Sequence, residues 1–413
     1  MLKLGMIGAG FVAKFHAQAL TQVRGVELAG VTALEGAEAL SKQAQQLGVG
    51  PAAVYPSATE LVKHVDAVAI YVPNFARLAI AQEIVAAVKA GAELKGVICE
   101  KPLARNVREA MEMVALADSV GLRTAYFENQ IYMGPVTKAL TQLQPVMETM
   151  GPIALVSSAE EHGGPHEPWF WDPTRQGGGV LCDMGCHSIA VSWYALTPLG
   201  KPPDFLKPVS VSAVTALLKW GLPEWRKRLL DERRVDYSKT PAEDYATGII
   251  TFKNPETGQS VMARFTNSWM FEMQGLRLQM EGQGPGYAFE VNTLLSPLRI
   301  FIGDVAAEAV ADRESALEKA TASRGLLTVQ PNEADLYGYT DENRDAAQAF
   351  LSGKDAMLSW RYGLEVVKLV MAGYLSAETG KTVDLTDPAV QKQLETYVPL
   401  IQQGKGREVL RVA

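Results

Sequence analysis

The stretch that decides the fold is residues 2–13, LKLGMIGAGFVA, near the start of the 413-residue chain. The apolar run over residues 2–7 predicts a buried strand, and a helical pattern follows over residues 11–22. Gly8 permits the tight turn between them, and Gly10 lets the backbone approach a pyrophosphate closely. Ala13 is small enough for the helix to pack on the strand. The stretch therefore predicts a Rossmann unit that binds a dinucleotide.

The same alternation of strands and helices continues to about residue 127. Further strands are predicted at 26–31, 67–72, 96–99 and 123–127, and further helices at 37–47, 76–90 and 107–120. Strands that alternate with helices of this length predict a parallel sheet covered on both faces.

The pattern changes after about residue 130. A helix is predicted over residues 135–143, where Pro145 discourages continuation. Strand-like segments separated by Gly, Pro and Asn then predict an open, mainly antiparallel sheet. These segments are residues 153–159, 209–218, 246–252, 261–269, 276–280 and 298–302. The expected fold is an α/β Rossmann domain over residues 1–128, followed by an α+β domain over residues 129–413. The second domain is predicted to bind substrate and to oligomerise, and its C-terminal helices span 342–379 with an interruption near Gly353.

Composition limits the classes of function. The balance of 47% hydrophobic and 21% charged residues is typical of a globular protein, and the net charge of −7 argues against nucleic acid as a partner. Three cysteines cannot form a disulfide framework, and no Cys-x-x-Cys pair is present. No apolar run reaches the roughly 18–20 residues that span a bilayer, and the N-terminus predicts no signal peptide. We therefore expect a cytoplasmic protein with no membrane partner.

Three motifs occur in order: the glycine turn, Glu100-Lys101-Pro102, and GGGVLCDMGCH at residues 177–187. Together they resemble the Gfo/Idh/MocA family, which includes glucose-fructose oxidoreductase and inositol dehydrogenase. The resemblance covers nearly the whole chain. It includes Pro73-Asn74, the run EDY at residues 243–245, and SAE at residues 376–378.

The resemblance implies that Lys101, Asp183 and His187 form a catalytic group. Oxidation of a secondary alcohol requires removal of the hydroxyl proton, and a histidine suits this role near neutral pH. A lysine can stabilise the developing alkoxide. Asp183 precedes His187 by four residues, so in a helix both would face one side. Asp183 could then orient the imidazole or bind a neighbouring hydroxyl.

The expected cofactor is NAD, with NADP less favoured. Ala33 stands where an acid that binds the ribose hydroxyls is usual, Glu35 follows two residues later, and no arginine is present there to receive a 2′-phosphate. The predicted cofactor-binding residues are Gly8, Gly10, Phe11, Val12, Glu35, Pro73, Asn74, Glu100 and Lys101.

Some segments depart from the family pattern. Arg77 occupies a position where histidine is usual, and ENQIY at residues 128–132 replaces a commoner Asn-Arg-Arg run. The segment EEHGGPHEPWFWD at residues 160–172 brings acids, imidazoles and indoles, which bind sugar hydroxyls and stack on sugar C–H surfaces. The predicted substrate-binding residues are Glu128, Tyr132, Glu161, His162, His166, Trp169, Trp171, Asp183 and His187. Core packing is the alternative for both tryptophans. For His16, on the first helix, packing is at least as good an interpretation as function.

A metal is the alternative interpretation of this region. Glu161, His162, His166, Asp183 and His187 could ligate zinc or manganese. The intervening Gly-Gly-Pro opposes the helix that a His-x-x-x-His site needs, and the family chemistry works without a metal. We therefore predict no metal.

Three functions stay open. The leading hypothesis is an NAD(P)-dependent oxidoreductase that transfers hydride to or from a secondary hydroxyl carbon of a sugar, sugar acid or cyclitol. The alternative is an NAD-dependent, redox-neutral glycoside hydrolase, which needs a further acid/base from Glu128, Glu161, His162 or His166. A non-catalytic sensor is the third. The expected partners are a small carbohydrate and further copies of the chain, as a homodimer or homotetramer.

Overall fold

A computed structural model describes residues 1–272, 275–295, 299–302, 325–328 and 332–410. Its first sheet has six parallel strands in the spatial order β3-β2-β1-β4-β5-β6. The strands are β1 (Leu2–Ile7), β2 (Val26–Thr32), β3 (Ala53–Val54), β4 (Ala67–Ile70), β5 (Gly96–Glu100) and β6 (Arg123–Phe127). The order reverses between β1 and β4, and ligands of doubly wound sheets bind at the carboxyl edge of such a point.

Helices connect these strands, as the alternation predicts. They are α1 (Phe11–Ala19), α2 (Ala37–Leu47), α3 (Ala58–Val62), α4 (Asn74–Lys89) and α5 (Val107–Asp118). Side chains cap two of them: Ser57 accepts a hydrogen bond at the start of α3, and Asn106 at the start of α5. No side chain caps α1, which begins after Gly10. The predicted Rossmann unit is confirmed, with bounds that differ by a few residues.

A second sheet of seven strands follows, in the order β12-β11-β7-β10-β9-β8-β15. Only the β7–β10 pair is parallel, so the prediction of a mainly antiparallel sheet is confirmed. Its strands are β7 (Leu155–Glu161), β8 (Lys207–Ala216), β9 (Tyr245–Lys253), β10 (Ser260–Ser268), β11 (Arg277–Gly284), β12 (Tyr287–Asn292) and β15 (Val383–Asp384). β13 (Arg299–Ile302) and β14 (Gly325–Thr328) pair separately, and Leu298 of the predicted strand lies outside the described residues.

The helices of the second part include one that carries a predicted catalytic residue. They are α6 (Gly134–Met150), α7 (Pro173–Gln176), α8 (Cys186–Leu196), α9 (Pro223–Arg233), α10 (Glu333–Leu336), α11 (Tyr339–Leu351), α12 (Trp360–Thr379), α13 (Pro388–Thr396) and α14 (Gly406–Val409). Ser158 of β7 donates to the carbonyl of Ser188 over 2.9 Å, and Asn267 of β10 donates to its hydroxyl over 2.8 Å. α8 begins at Cys186, the residue before His187. The two bonds fix this helix against one face of the second sheet.

The C-terminal helices return to the first sheet. Phe350 of α11 lies against Gly96 of β5, where a Cβ atom would come within 2.4 Å of the phenylalanine ring. Ala346, Ala347 and Phe350 share one buried cluster with Leu4 of β1. The predicted break near Gly353 is present between α11 and α12. The domain boundary at residue 128 stays a prediction, since residues beyond it contribute to both cores.

The predicted end of the helix before Pro145 is wrong, because α6 continues to Met150 with Pro145 inside it. Proline removes the hydrogen bond to the carbonyl four residues earlier. That carbonyl belongs to Thr141, and Thr141 and Pro145 are both exposed, so water can satisfy it. An exposed position therefore tolerates the proline at a cost in stability.

We expect Pro145→Ala to stabilise the protein by about 1 kcal/mol or more, because it restores one helical hydrogen bond. Pro135→Ala is the matched control, since Pro135 is also exposed but stands in the first turn, where no bond is lost. Thermal unfolding of both variants measures the difference. Equal midpoints for the two would contradict this account of α6.

Candidate active site

The turn between β1 and α1 is open on the side where a dinucleotide would bind. Gly8 has φ +110°, and a Cβ atom there would lie 2.5 Å from the carbonyl oxygen of Tyr71. A Cβ atom on Gly10 would meet nothing within 4 Å. The start of α1 thus has no side-chain cap, and the space beside Gly10 is open. This geometry fits a pyrophosphate, which binds to uncapped helix N-termini.

The loop after β2 lies beside this turn. The Cβ position of Gly36 is 3.5 Å from the Cβ atom of Ala9, and the preceding residue, Glu35, is exposed. Phe11 is 44% exposed at the start of α1, and Val12 is partly buried. A carboxylate at the end of β2 is placed to bind ribose hydroxyls. The structure is therefore compatible with the predicted role of Glu35.

Two predicted cofactor-binding side chains are engaged within the protein. Asn74 is buried, and its amide donates to the carbonyl and to Oε1 of Gln176, over 2.8 and 2.7 Å. Its N–H groups are thus not available to a cofactor, and the prediction is corrected on this point. The bond instead joins the start of α4 to α7. Pro73, which precedes α4, is partly buried.

Glu100 also faces the interior. Its Oε1 lies 2.8 Å from Nε2 of His16, and its Oε2 accepts the backbone N–H of Lys101 over 3.1 Å. Both carboxylate oxygens thus have partners inside the protein, and the predicted contact of Glu100 with the cofactor stays a prediction. The contact with His16 gives that residue a structural partner.

Arg77, a departure from the family pattern, holds the segment around Lys101. Its buried guanidinium donates to the carbonyls of Val72 (3.1 Å), Glu100 (2.6 Å) and Pro102. The Lys101–Pro102 peptide bond is cis. A guanidinium offers five donors in a fixed plane, so one side chain can fix three carbonyls. The sequence marked the position but not this role.

Lys101 follows the carboxyl end of β5 and meets Asp183. Its Nζ donates to the carbonyl oxygen of Asp183 over 2.9 Å and lies 3.3 Å from Oδ1. Burial disfavours the ammonium, but the charges of Asp183, Glu160 and Glu100 outweigh it and raise the pKa of Lys101 above its ordinary value. Lys101 is therefore a permanent cation at the edge of the sheet.

His187 lies on the first turn of α8, and Glu128 holds it. Nδ1 of His187 is 2.5 Å from Oε1 of Glu128, which follows β6 and is fully buried. The four-residue spacing suggested that Asp183 orients the imidazole. In the structure the imidazole contacts Glu128 instead. Its carboxylate contacts Lys101 and accepts the indole N–H of Trp269 over 3.3 Å. A turn of π-helix over Leu181–Gly185 lies between Asp183 and His187. The two residues therefore do not have the regular α-helical spacing that the prediction assumed.

The strand alternation of β7 corrects one predicted substrate contact. Glu161 faces away from α8 and pairs with Arg277 of β11 over 2.8 Å. Glu160 lies on the same face as Ser158, and its carboxylate accepts the amide of Gln130 over 2.8 Å. Because the charge of Glu160 acts on both Lys101 and His187, Glu160 is the acid that borders the site.

The aromatic residues divide into core and rim. Trp171 is buried against Trp220, Trp269 and Tyr237, and its indole donates to the carbonyl of Pro165, so core packing is the correct interpretation for it. Trp169 is half-buried and stacks on Phe170 at 3.8 Å.

The remaining predicted contacts also divide. Tyr132 is buried and its hydroxyl donates to Asp345 of α11 over 2.8 Å, so this hydroxyl proton is engaged within the protein and not free for the predicted substrate contact. His162 is buried, and its Nδ1 accepts the N–H of Gly164 over 2.9 Å. His166 is half-buried.

The metal alternative finds no support in the described residues, where the side chains of the 160–172 segment do not gather ligand atoms with Asp183 and His187. The group that does gather them is His16, Glu100 and Glu342, all buried. The amide of Asn343 donates to Nδ1 of His16, so Nε2 carries the proton and donates to Glu100. Hydrogen bonds therefore satisfy both ring nitrogens.

A buried carboxyl holds the glycine-rich segment before Asp183. Glu243 accepts hydrogen bonds from the N–H groups of Gly179 and Leu181, each at 3.0 Å, and from the hydroxyl of Tyr374 at 2.6 Å. A Cβ atom on Gly179 would lie 2.2 Å from the Glu243 carbonyl, so only glycine fits there. Burial raises the pKa of Glu243 to about 7, although these hydrogen bonds oppose the shift.

Comparison with known proteins assigns the family. Residues 2–127 match the model described as "Oxidoreductase family, NAD-binding Rossmann fold", and residues 148–284 match the "GFO/IDH/MocA C-terminal domain". The chain therefore belongs to the Gfo/Idh/MocA family of oxidoreductases. The NAD prediction is confirmed at the level of the family. No described helix is long and apolar enough to cross a bilayer.

The relatives are distant. Glucose-6-phosphate 3-dehydrogenase of Bacillus subtilis is 26% identical over 47% of this chain and 53% of its own length. The 1,5-anhydro-D-fructose reductase of Ensifer adhaerens is 28% identical over 54% of this chain and 64% of its own length. The chain thus spans little more than half of the curated relatives it matches. The crystal structure of GenD2 from gentamicin A biosynthesis, in complex with NAD, is 22% identical, with a TM-score of 0.71 over 93% of this chain and 96% of its own, and shares the fold.

The Glu243 contact predicts a pH dependence of stability. The folded state prefers the protonated acid, so this contribution is fully present below the ordinary pKa of 4.5 and is lost as pH rises through about 7. The ionised form costs about 3 kcal/mol. Glu243→Gln mimics the protonated acid, so its unfolding midpoint should fall less between pH 5 and 8 than that of the wild type. Glu395→Gln, at an exposed position, is the control. Parallel profiles for wild type and Glu243→Gln would show that the contact does not titrate.

Proposed function

We propose that this protein is an NAD-dependent oxidoreductase that acts on a secondary hydroxyl, or the corresponding ketone, of a sugar, sugar acid or cyclitol. The observation that carries the proposal is the contact of Lys101 with Asp183, one turn before His187. It places a cation and an imidazole together at the carboxyl edge of a Rossmann sheet. Gly8, which begins the cofactor turn, follows another strand at the same edge.

Each residue of the group has a distinct task. Lys101 has two of its three N–H donors on Asp183, so one is left to hydrogen-bond a substrate oxygen. His187 takes the hydroxyl proton in oxidation and gives it back in reduction. Asp183 fixes Lys101 in place. NAD, held by the turn at Gly8 and Gly10 with Glu35 at its ribose, supplies hydride transfer when bound.

The names of relatives support a sugar as the substrate class, since they specify glucose 6-phosphate and 1,5-anhydro-D-fructose. The segment before the catalytic group supports it too. Glu160 borders the site, and Trp169 offers a half-buried indole whose face can stack on a sugar ring. We propose Glu160, His162, His166 and Trp169 as the residues that select among sugars.

We also propose a homo-oligomer formed through the outer face of the second sheet. Val214, Ile249 and Met262, on three adjacent strands, are 61%, 43% and 41% exposed there. Contiguous exposed apolar side chains of this kind mark contact surfaces. A homodimer or homotetramer would cover these side chains. We also propose that the protein lies in the cytoplasm, as the composition predicts.

The glycosidase alternative loses two of its four candidate acids. Glu128 is buried against His187, and Glu161 pairs with Arg277 on the opposite face of the sheet. Of the four candidates, His162 and His166 remain. The plain oxidoreductase therefore needs fewer groups and is the function that the geometry favours.

Incubation of the protein with NAD or NADP and a panel of free sugars, sugar acids, cyclitols and aryl glycosides tests the proposal. Reduced-nicotinamide absorbance and aglycone release are recorded together. We expect net NADH from a free sugar or polyol without aglycone release. NAD-dependent aglycone release without net NADH would establish the glycosidase, and binding of NAD without any turnover would establish a sensor.

On the substrate so identified, Lys101→Met and His187→Asn should each lower kcat/KM by about 10²–10⁴, because each removes a group that acts on the reacting oxygen. Lys95→Met is the matched control: Lys95 precedes β5 at the opposite edge of the sheet and pairs with Asp66. Affinity for NAD should stay within a few-fold in all three. Wild-type kinetics for Lys101→Met or His187→Asn would reject this catalytic group.

A further inference from the structure

Glu128 is a residue that the sequence had placed among the substrate contacts. We propose that Glu128 is instead a positioning residue, which fixes the His187 ring with its Nδ1–H toward the Glu128 carboxylate and its Nε2 toward the substrate. The role of Glu128 in catalysis rests on the function proposed above. The contact between Glu128 and His187 does not depend on that function.

The contact between Glu128 and His187 supports one tautomer and one orientation of the ring. Oε1 of Glu128 lies 2.5 Å from Nδ1 of His187, and an ionised carboxylate can only accept a hydrogen bond. In the proposed arrangement Nδ1 therefore carries the proton of this hydrogen bond. Nε2 makes no hydrogen bond to any residue that the structure describes. Nε2 is thus the nitrogen available to a substrate oxygen.

The attachment of both residues makes the contact rigid. Glu128 follows β6 directly, and a 3-10 turn over Asn129–Tyr132 begins after it. His187 is the second residue of α8, which is fixed to the second sheet through Ser188. A short bond between two such elements leaves the ring little freedom to turn. Held in this way, the ring need not be reoriented when substrate binds.

The surrounding charges make His187 a stronger base than a free histidine. Burial and the charge of Lys101 oppose protonation, whereas the charges of Glu128 and Glu160 favour it. The balance raises the pKa of His187 above its ordinary value. Asp183, on the same helical segment, has its carboxylate on Lys101 and Trp269.

A further buried acid, Glu342, lies near Glu128. Burial and the charges of Glu100 and Glu128 raise the pKa of Glu342 well above its ordinary value. Both carboxyl oxygens of Glu342 are buried without a hydrogen-bond partner, as is Oε2 of Glu128. The raised pKa favours the neutral form of Glu342, so this acid adds no negative charge beside Glu128.

This arrangement has a consequence for the direction of the reaction. An imidazolium with Nε2–H toward the substrate donates a proton to a carbonyl oxygen, whereas oxidation of an alcohol needs the neutral ring. The raised pKa of His187 therefore extends ketone reduction to higher pH than a free histidine would allow. Oxidation should gain as pH rises through the pKa of His187.

The test is an NMR titration of histidines labelled with ¹⁵N, in the full-length protein with and without NAD. The chain has five histidines, and the signal of His187 is assigned by its loss in His187→Asn. We expect Glu128→Gln to lower the pKa of His187 by about one to two pH units. Glu161→Gln is the control. Glu161 follows Glu160 in β7 but lies on the opposite face, so its removal should leave the titration of His187 unchanged. The pH profile of ketone reduction depends on the protonated form of His187. The pH at its midpoint should therefore shift by the same amount as the pKa of His187.

A purely structural role for Glu128 predicts something different. Glu128→Gln would then lower stability while His187 titrates as in the wild type, and this result would overturn the proposal. If Glu128→Gln does not fold, wild-type spectra still decide, because the proposal requires a protonated Nδ1 with a downfield hydrogen-bonded proton. A protonated Nε2 with a bare Nδ1 would overturn it equally.

The titration also separates this inference from the proposed function. It needs no turnover, so a protein inert toward every sugar but with a Glu128-dependent pKa at His187 would lose the function and keep the dyad. An active enzyme whose His187 titrates independently of Glu128 would keep the function and lose the dyad.

Discussion

The interaction on which the site depends is the contact between the Lys101 ammonium and Asp183. Lys101 directly follows strand β5 of the first sheet, and Asp183 precedes the helix α8 that lies on the second sheet. The ammonium is bound by both a carbonyl and a carboxylate, and removal of one partner from such a pair leaves an uncompensated charge. The contact thus joins the carboxyl edge of the first sheet to the segment that precedes α8.

Three buried acids support this arrangement, each on a different piece of the site. Glu100 accepts the N–H of Lys101, Glu128 binds the ring of His187, and Glu243 accepts two N–H groups of the segment before Asp183. Burial of a carboxylate costs free energy unless the group is hydrogen-bonded. Each of these three acids is hydrogen-bonded to the part of the site that it holds. The proposed site therefore depends on buried acids that hold Lys101, His187 and the segment before Asp183 in place.

The parts predicted from the sequence are those that depend on local pattern. Strand and helix periodicity predicted the Rossmann unit and the mainly antiparallel second sheet, because apolar spacing is a property of neighbouring residues. The contact of Asn74 with Gln176 joins residues 102 positions apart, and that of Tyr132 with Asp345 joins residues 213 apart. No spacing rule reaches across such distances.

Register explains the other differences. In β7 a side chain one position along faces the opposite side, so the same pattern that places Glu160 at the site removes Glu161 from it. The predicted strand ended at residue 159 and left both acids in a loop. Glu243 was noted only as part of the family resemblance, and Trp269 only as the end of a strand. Their contacts appear once the chain is folded.

The most direct test of the central claim is a crystal structure with reduced cofactor and the sugar that the activity panel identifies. The account predicts that the oxygen on the reacting carbon lies within about 3.2 Å of both Lys101 Nζ and His187 Nε2, with Nδ1 of His187 on Glu128. A sugar bound at Trp169 and His166 with its reacting carbon remote from Lys101 and His187 would contradict it.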